Sequence, residues 1–97
     1  MILETAVLHV KPELQHSFEL SFKEASQYIA SIKGYINHEL HRCMESGNKY
    51  LLLVHWQTLE DHTIGFRKSE AYNEWKRLLH HYYEPFPVVE HYKKIDS

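Results

Sequence analysis

Apolar positions in this chain recur first with the period of a strand and then with that of a helix, and the alternation of the two periods predicts the element order. Residues 2–10, ILETAVLHV, set Ile2, Ala6, Leu8 and Val10 against Glu4, with Val7 and His9 on the other side. They predict a first strand that is apolar on much of both faces. Pro12 suits the first turn of a helix, where its missing N–H costs nothing. Phe18, Phe22, Ala25, Ile29 and Ile32 then recur at spacings of three and four in one stripe, with Lys23, Glu24, Gln27 and Ser31 toward water. Gly34 is placed to end this helix as its C-terminal cap.

Residues 35–44, YINHELHRCM, predict a second strand with Ile36, Leu40 and Met44 on one side and Asn37, Glu39 and His41 on the other. Ser46, Gly47 and Asn48 supply the turn into residues 50–56, YLLLVHW. There Leu51, Leu52, Leu53 and Val54 are apolar on both faces, the pattern of a central strand covered on both sides. Thr58 and Asp61 form a capping-box-like pair for a short helix. Ser69 caps a second stretch running to about residue 81, so this helix is broken near Lys68. Pro85 and Pro87 stop it, and residues 86–94, FPVVEHYKK, predict a fourth strand.

The order strand, helix, strand, strand, helix, strand is that of one α+β domain over residues 1–97, a ferredoxin-like βαββαβ arrangement with a four-stranded antiparallel sheet. Helices so connected cover one face of the sheet. The third strand is apolar on both faces, and Val88 and Val89 point to opposite sides, so the other face also needs a cover. The same face of a second copy is the simplest candidate, because closed two-fold dimers are the commonest soluble assembly. The pattern therefore predicts a homodimer through the sheet face, a dimeric α/β barrel.

Composition narrows the partners. A chain of 97 residues buries only roughly 60–65% of its unfolded surface, so a partner surface would help its core. The formal charge is −2 with nine histidines counted neutral, which leaves no basic stripe for nucleic acid and no polybasic arm for a membrane. No apolar run approaches the ~18 residues needed to span a bilayer. The single Cys43 cannot form an internal disulfide, and MILETAVLHV lacks the basic start and apolar run of a signal peptide. A cytoplasmic location is the default expectation.

The strand ending in Trp56, the following LEDHTIGFRKSEAYNEW and the later FPVVEHY together resemble the antibiotic biosynthesis monooxygenase domain family, small dimeric α+β barrel proteins. The likeness takes in nearly the whole chain, including the first strand, Lys11-Pro12-Glu13 and Gly34. The resemblance implies fold more strongly than chemistry. Its superfamily holds cofactor-free monooxygenases of aromatic polyketides and quinols, haem-degrading enzymes and members without known activity. Haem-degrading relatives use an asparagine on the first strand, a tryptophan just before the last helix and a histidine within it. Thr5, Phe66 and Lys76 stand at those places and none matches; a shifted alignment would bring in His62, Trp75 or His80.

In a cofactor-free monooxygenase the substrate supplies the electrons, and the protein supplies a dry aromatic pocket, a base and donors for the oxygen anion. On that resemblance Trp56, Phe66, Tyr72 and Trp75 are candidate walls, and His62 is the candidate base or donor. His91 is the second choice for that role, and Arg67 is placed to orient a substrate anion. Each also has a plainer reading. Trp56, Phe66 and Trp75 are spaced as a core cluster would be, His62 beside Asp61 fits a surface pair in a first turn, and Arg67 with Lys68 fits a solvated helix face.

The histidine spacings do not chelate. His38 and His41 point to opposite faces of a strand, and His80 and His81 diverge on a helix. With no HExxH pattern, paired cysteines, glycine-rich phosphate loop or GxSxG elbow, the expectation is no metal and no cofactor. Cys43, flanked by Arg42 and Met44, has no evident base partner. Two function classes remain: a cofactor-independent monooxygenase of a small aromatic or quinol, and a non-catalytic dimer that binds a small apolar ligand or serves a stress or regulatory role. The row Asn37, Glu39 and His41 separates them: facing a cavity it suggests an evolved site, facing solvent or a dimer seam only surface chemistry.

Overall fold

The structure is a computed structural model that describes residues 1–96. Its elements are β1 (Ile2–His9), α1 (Gln15–Ala30), β2 (Tyr35–Arg42), β3 (Lys49–Trp56), a π-helical turn (Asp61–Phe66), α2 (Glu70–Leu79) and β4 (Val89–Lys93). The strands form one antiparallel sheet in the order β2-β3-β1-β4, so the most apolar strands, β1 and β3, are its centre. This is the ferredoxin-like βαββαβ arrangement. The described residues contain no helix long and apolar enough to cross a membrane.

Strand alternation decides the faces. Glu4, Ala6 and Leu8 of β1 and Tyr50, Leu52, Val54 and Trp56 of β3 are buried on the side of the helices. The α1 stripe Phe18, Phe22, Ala25 and Ile29 packs on them, with Phe66, Trp75 and Leu79 closing the core. Each of the larger side chains among these contributes about 1.5–3 kcal/mol on burial. On the opposite face Val7, Leu51 and Tyr92 stay exposed, with Leu3 and Leu53 half-buried beside them.

Four expected boundaries shift, each for a local reason. Pro12 lies in a turn before α1: Glu13 takes a left-handed φ of 71°, which no helix continues through, and α1 starts at Gln15. In β2 only Leu40 of the expected apolar side packs on the core, because a β-bulge between Tyr35 and Asn37 leaves Ile36 exposed, and Met44 lies past the strand end. The second helix ends at Leu79, with His80 as its cap residue. Finally, β4 is confined to Val89–Lys93. Pro87 has no N–H for the ladder, and the chain from Tyr83 to Val88 instead forms a strap pinned to β1 by Glu84 N–H donating to the His9 carbonyl (3.0 Å).

α1 ends at Ala30 with Ser31 as its cap residue, so Gly34, expected to cap it, lies instead in the turn before β2. Its φ of +92° suits glycine, and a β-carbon there would collide with the Asp61 carboxylate. The missing side chain makes room for the carboxylate that starts the next helical turn.

Candidate functional site

That turn is what carries His62 inward. Asp61 N–H donates to Thr58 Oγ1 (3.2 Å) and Thr58 N–H donates to Asp61 Oδ2 (3.1 Å), a reciprocal capping box. The Arg67 N–H then reaches back five residues to the His62 carbonyl (3.1 Å), the π spacing. Ser69 restarts a regular helix by accepting from the Tyr72 N–H (3.1 Å). Within this wide turn both His62 and Phe66 point inward and are buried.

His62 joins a polar chain inside the core. The Trp56 indole N–H donates to Glu4 Oε1 (2.9 Å), and His62 Nε2 lies 3.4 Å from the same oxygen. His62 Nδ1 is 2.7 Å from Nε2 of His91, which the sheet register sets directly across from Glu4. The His62 ring stacks on Trp56 at 5.4 Å and 18°. Glu4 is only 5% exposed and His62 only 3%, so dehydration governs their charge. Burial raises Glu4 above the ordinary carboxylate range against the pull of the Trp56 hydrogen bond and the Arg67 charge. Burial also drives His62 down to about 3, helped by Arg67 and His91. The His62 imidazole is therefore neutral near pH 7, and its contact with Glu4 is not an ion pair.

The chain borders a cavity of about 450 Å³ between sheet and helices. Glu4, Ala6 and Leu8 line it from the sheet, Phe66, Tyr72 and Trp75 from the helical side, and Tyr83 and Phe86 from the strap. Burial raises Tyr72, so its hydroxyl stays protonated and able to donate. Arg67 is exposed but also lines the cavity.

Of the residues expected at the site, His62, Phe66, Arg67, Tyr72 and Trp75 all line this one cavity. Trp56 does not; it is fully buried behind the His62 ring and holds Glu4. His91 stands behind His62, on the edge strand and half-buried. The row Asn37, Glu39 and His41 faces away from the cavity, tied on the open sheet face by Asn37 to His55 (2.8 Å) and Glu39 to His41 (2.7 Å). Among the described residues no group of three or more His, Cys, Asp or Glu side chains is arranged to hold a metal ion. Glu4 is the participant the sequence reading passed over. The signal was present: Glu4 shares the even parity of Ile2, Ala6, Leu8 and Val10, and alternation puts that set inside.

The antibiotic biosynthesis monooxygenase family matches this chain over residues 1–78. The chain belongs to that family. It is 55% identical over 95 residues to the uncharacterized protein YczJ of Bacillus subtilis (strain 168), covering 98% of this chain and 100% of that protein. A Bordetella bronchiseptica protein that bears the family's name provisionally is 31% identical, and its crystal structure superposes with a TM-score of 0.93 over 97% of this chain and 96% of that one. A variant of SnoaB, a cofactor-independent oxygenase from Streptomyces nogalater, gives a TM-score of 0.81 over 99% of this chain and 94% of that one. At 14% identity that last likeness is one of fold. The family member described here thus has a monooxygenase-type fold, with a histidine-bordered cavity on its helical side.

Proposed function

We propose that this protein is a cofactor-independent monooxygenase that oxidises a small aromatic or quinol-type substrate with dioxygen. The observation that carries this reading is the hydrogen-bonded pair His62 and His91, whose inner member borders an aromatic cavity. A buried histidine of low basicity is a poor place to leave a proton, but the pair avoids that difficulty. As His62 Nε2 takes the substrate's acidic proton, its Nδ1 proton passes to His91, and the charge comes to rest on the less buried ring. The substrate anion left behind lies against Phe66, Tyr72 and Trp75, with the Arg67 charge at the wall to hold it. Dioxygen then meets an electron-rich ring held against the aromatic side chains of the cavity.

The test is oxygen-electrode screening of the metal-free protein against quinols, anthrones and related phenols. With an active substrate, His62→Ala is expected to lose about 10²-fold or more in kcat/KM. Equal rates would remove His62 from the chemistry. No oxygen uptake from any substrate would favour the non-catalytic ligand-binding protein.

The reading includes a homodimer. Val7, Leu51 and Tyr92 are more than a third exposed on the sheet face that no helix covers, and a groove of about 590 Å³ there is lined by Met1, Leu3, His55 and Tyr92. A second copy seated on this face would dry these side chains. Sedimentation at micromolar concentration is expected to give twice the chain mass. A well-folded monomer would defeat the dimer.

A further inference from the structure

Glu4 is a buried carboxyl that takes no part in carrying the substrate's proton from His62 to His91. It stands at the centre of the sheet, in the floor of the cavity, paired across β1 with Val54 and His91. Its two oxygens have different surroundings. Oε1 accepts the Trp56 indole N–H (2.9 Å) and lies 3.4 Å from His62 Nε2, whereas Oε2 has no hydrogen-bond partner among the described residues. No fully buried side-chain nitrogen or oxygen among those residues lacks a partner, so Oε2 is open to the cavity that Glu4 lines.

We propose that Glu4 is the cavity's hydrogen-bond and proton donor, serving the oxygen anion that forms on the bound ligand. The inference rests on the monooxygenase reading and adds a residue to its machinery. Trp56 binds the carboxyl through Oε1 and so leaves the proton on Oε2, aimed into the cavity. The titratable and charged groups facing Glu4 are His62 on the π turn, Arg67 after it, Tyr72 on α2 and His91 on β4. Burial outweighs their combined pull and keeps the carboxyl protonated longer than an ordinary one. A neutral acid can donate to an anion that a carboxylate would repel. A ligand bound through a hydroxyl-derived oxyanion fits this floor, with Phe66, Tyr72 and Trp75 holding its ring.

For an anthrone-type substrate the chemistry balances as CH2 plus O2 giving C=O plus H2O. His62 removes one ring-carbon proton and relays it to His91, and the enolate oxygen is held by the Glu4 O–H. The carbanion carbon bonds dioxygen and passes it two electrons, leaving a peroxide anion. The Glu4 O–H bond then breaks and its proton goes to the terminal peroxide oxygen. Loss of the remaining C–H proton and cleavage of the O–O bond form the carbonyl and release water. Glu4 regains a proton from His62 Nε2 as His91 returns the first one.

The test uses binding without turnover. Alizarin is a three-ring hydroxyaromatic that changes colour on losing its proton. The wild-type protein is expected to bind its anion in preference to its neutral form, so bound dye titrates at lower pH than free dye. Glu4→Met removes the donor at this position, and its affinity for the dye anion is expected to fall roughly tenfold or more, whereas Glu4→Gln keeps an acceptor for Trp56 and an N–H donor toward the cavity and is expected to bind the anion with no proton to transfer. The infrared carbonyl band of a protonated carboxyl is expected at pH 7 in wild type and absent in Glu4→Gln. Absence of that band in wild type, failure of wild type to bind alizarin, or equal anion affinity in Glu4→Met would each overturn the assignment. If these results hold and no substrate consumes oxygen, the monooxygenase reading alone fails.

Discussion

Replacing Trp56 by alanine is expected to destabilise the fold by about 3–5 kcal/mol, the usual cost of removing a large aromatic from a closed core. Trp56 is fully buried, and it touches Tyr35, Phe66 and the stacked His62 ring. Its loss also leaves Glu4 without the N–H that holds it. Trp56→Phe separates the two effects: it restores much of the packing and leaves the carboxyl unpaired, for a smaller loss of about 1–3 kcal/mol. Urea denaturation with both variants reads these directly. A Trp56→Ala midpoint equal to wild type would contradict the packing described here.

Acid is expected to weaken the protein well before ordinary carboxylates protonate. His62 sits at about 3 in the fold against 6.5 unfolded. Between those values the unfolded chain binds a proton that the folded chain refuses, so the stability present above pH 6.5 is lost as pH falls. By pH 5 this one residue accounts for roughly 2 kcal/mol. Burial also lowers His38, His80 and His91, which adds to the slope in the same direction. Glu4 works the other way: its raised value means stability falls as pH rises through and above 4.5. Comparing urea midpoints at pH 7.5 and 5.0, His62→Gln is expected to show a clearly smaller drop than wild type. An identical drop would place the acid sensitivity elsewhere.

Most of the architecture was legible because it depends on periodicity. The α1 stripe, the doubly apolar β3 and the caps at Thr58 and Ser69 each announce themselves within a few residues. What escaped depends on register. The bulge after Tyr35 shifts a strand that otherwise alternates cleanly, and no turn residue or proline marks it. The contact between His62 and His91 spans 29 positions and exists because β4 lies beside β1 with His91 opposite Glu4. His62 and Phe66 were identifiable from the helix start, but the role of Trp56 behind them depended on Glu4, a carboxylate in a row of core positions. A charged residue in step with a buried stripe is a stronger pointer to a site than an aromatic in that stripe, because only the former needs a partner.

The short β4 gives this site an uneven stiffness. It is an edge strand, hydrogen-bonded to β1 alone over Ile2–Ala6, and it carries the outer end of the histidine pair. Sheet edges open more readily than centres. The inner end of the pair packs against Trp56 and Phe66, while the outer end moves with the margin of the sheet. In the proposed relay, anything that steadies that margin, a neighbouring subunit or a ligand pressing on the strap, would set how fast protons leave without changing one atom of the cavity.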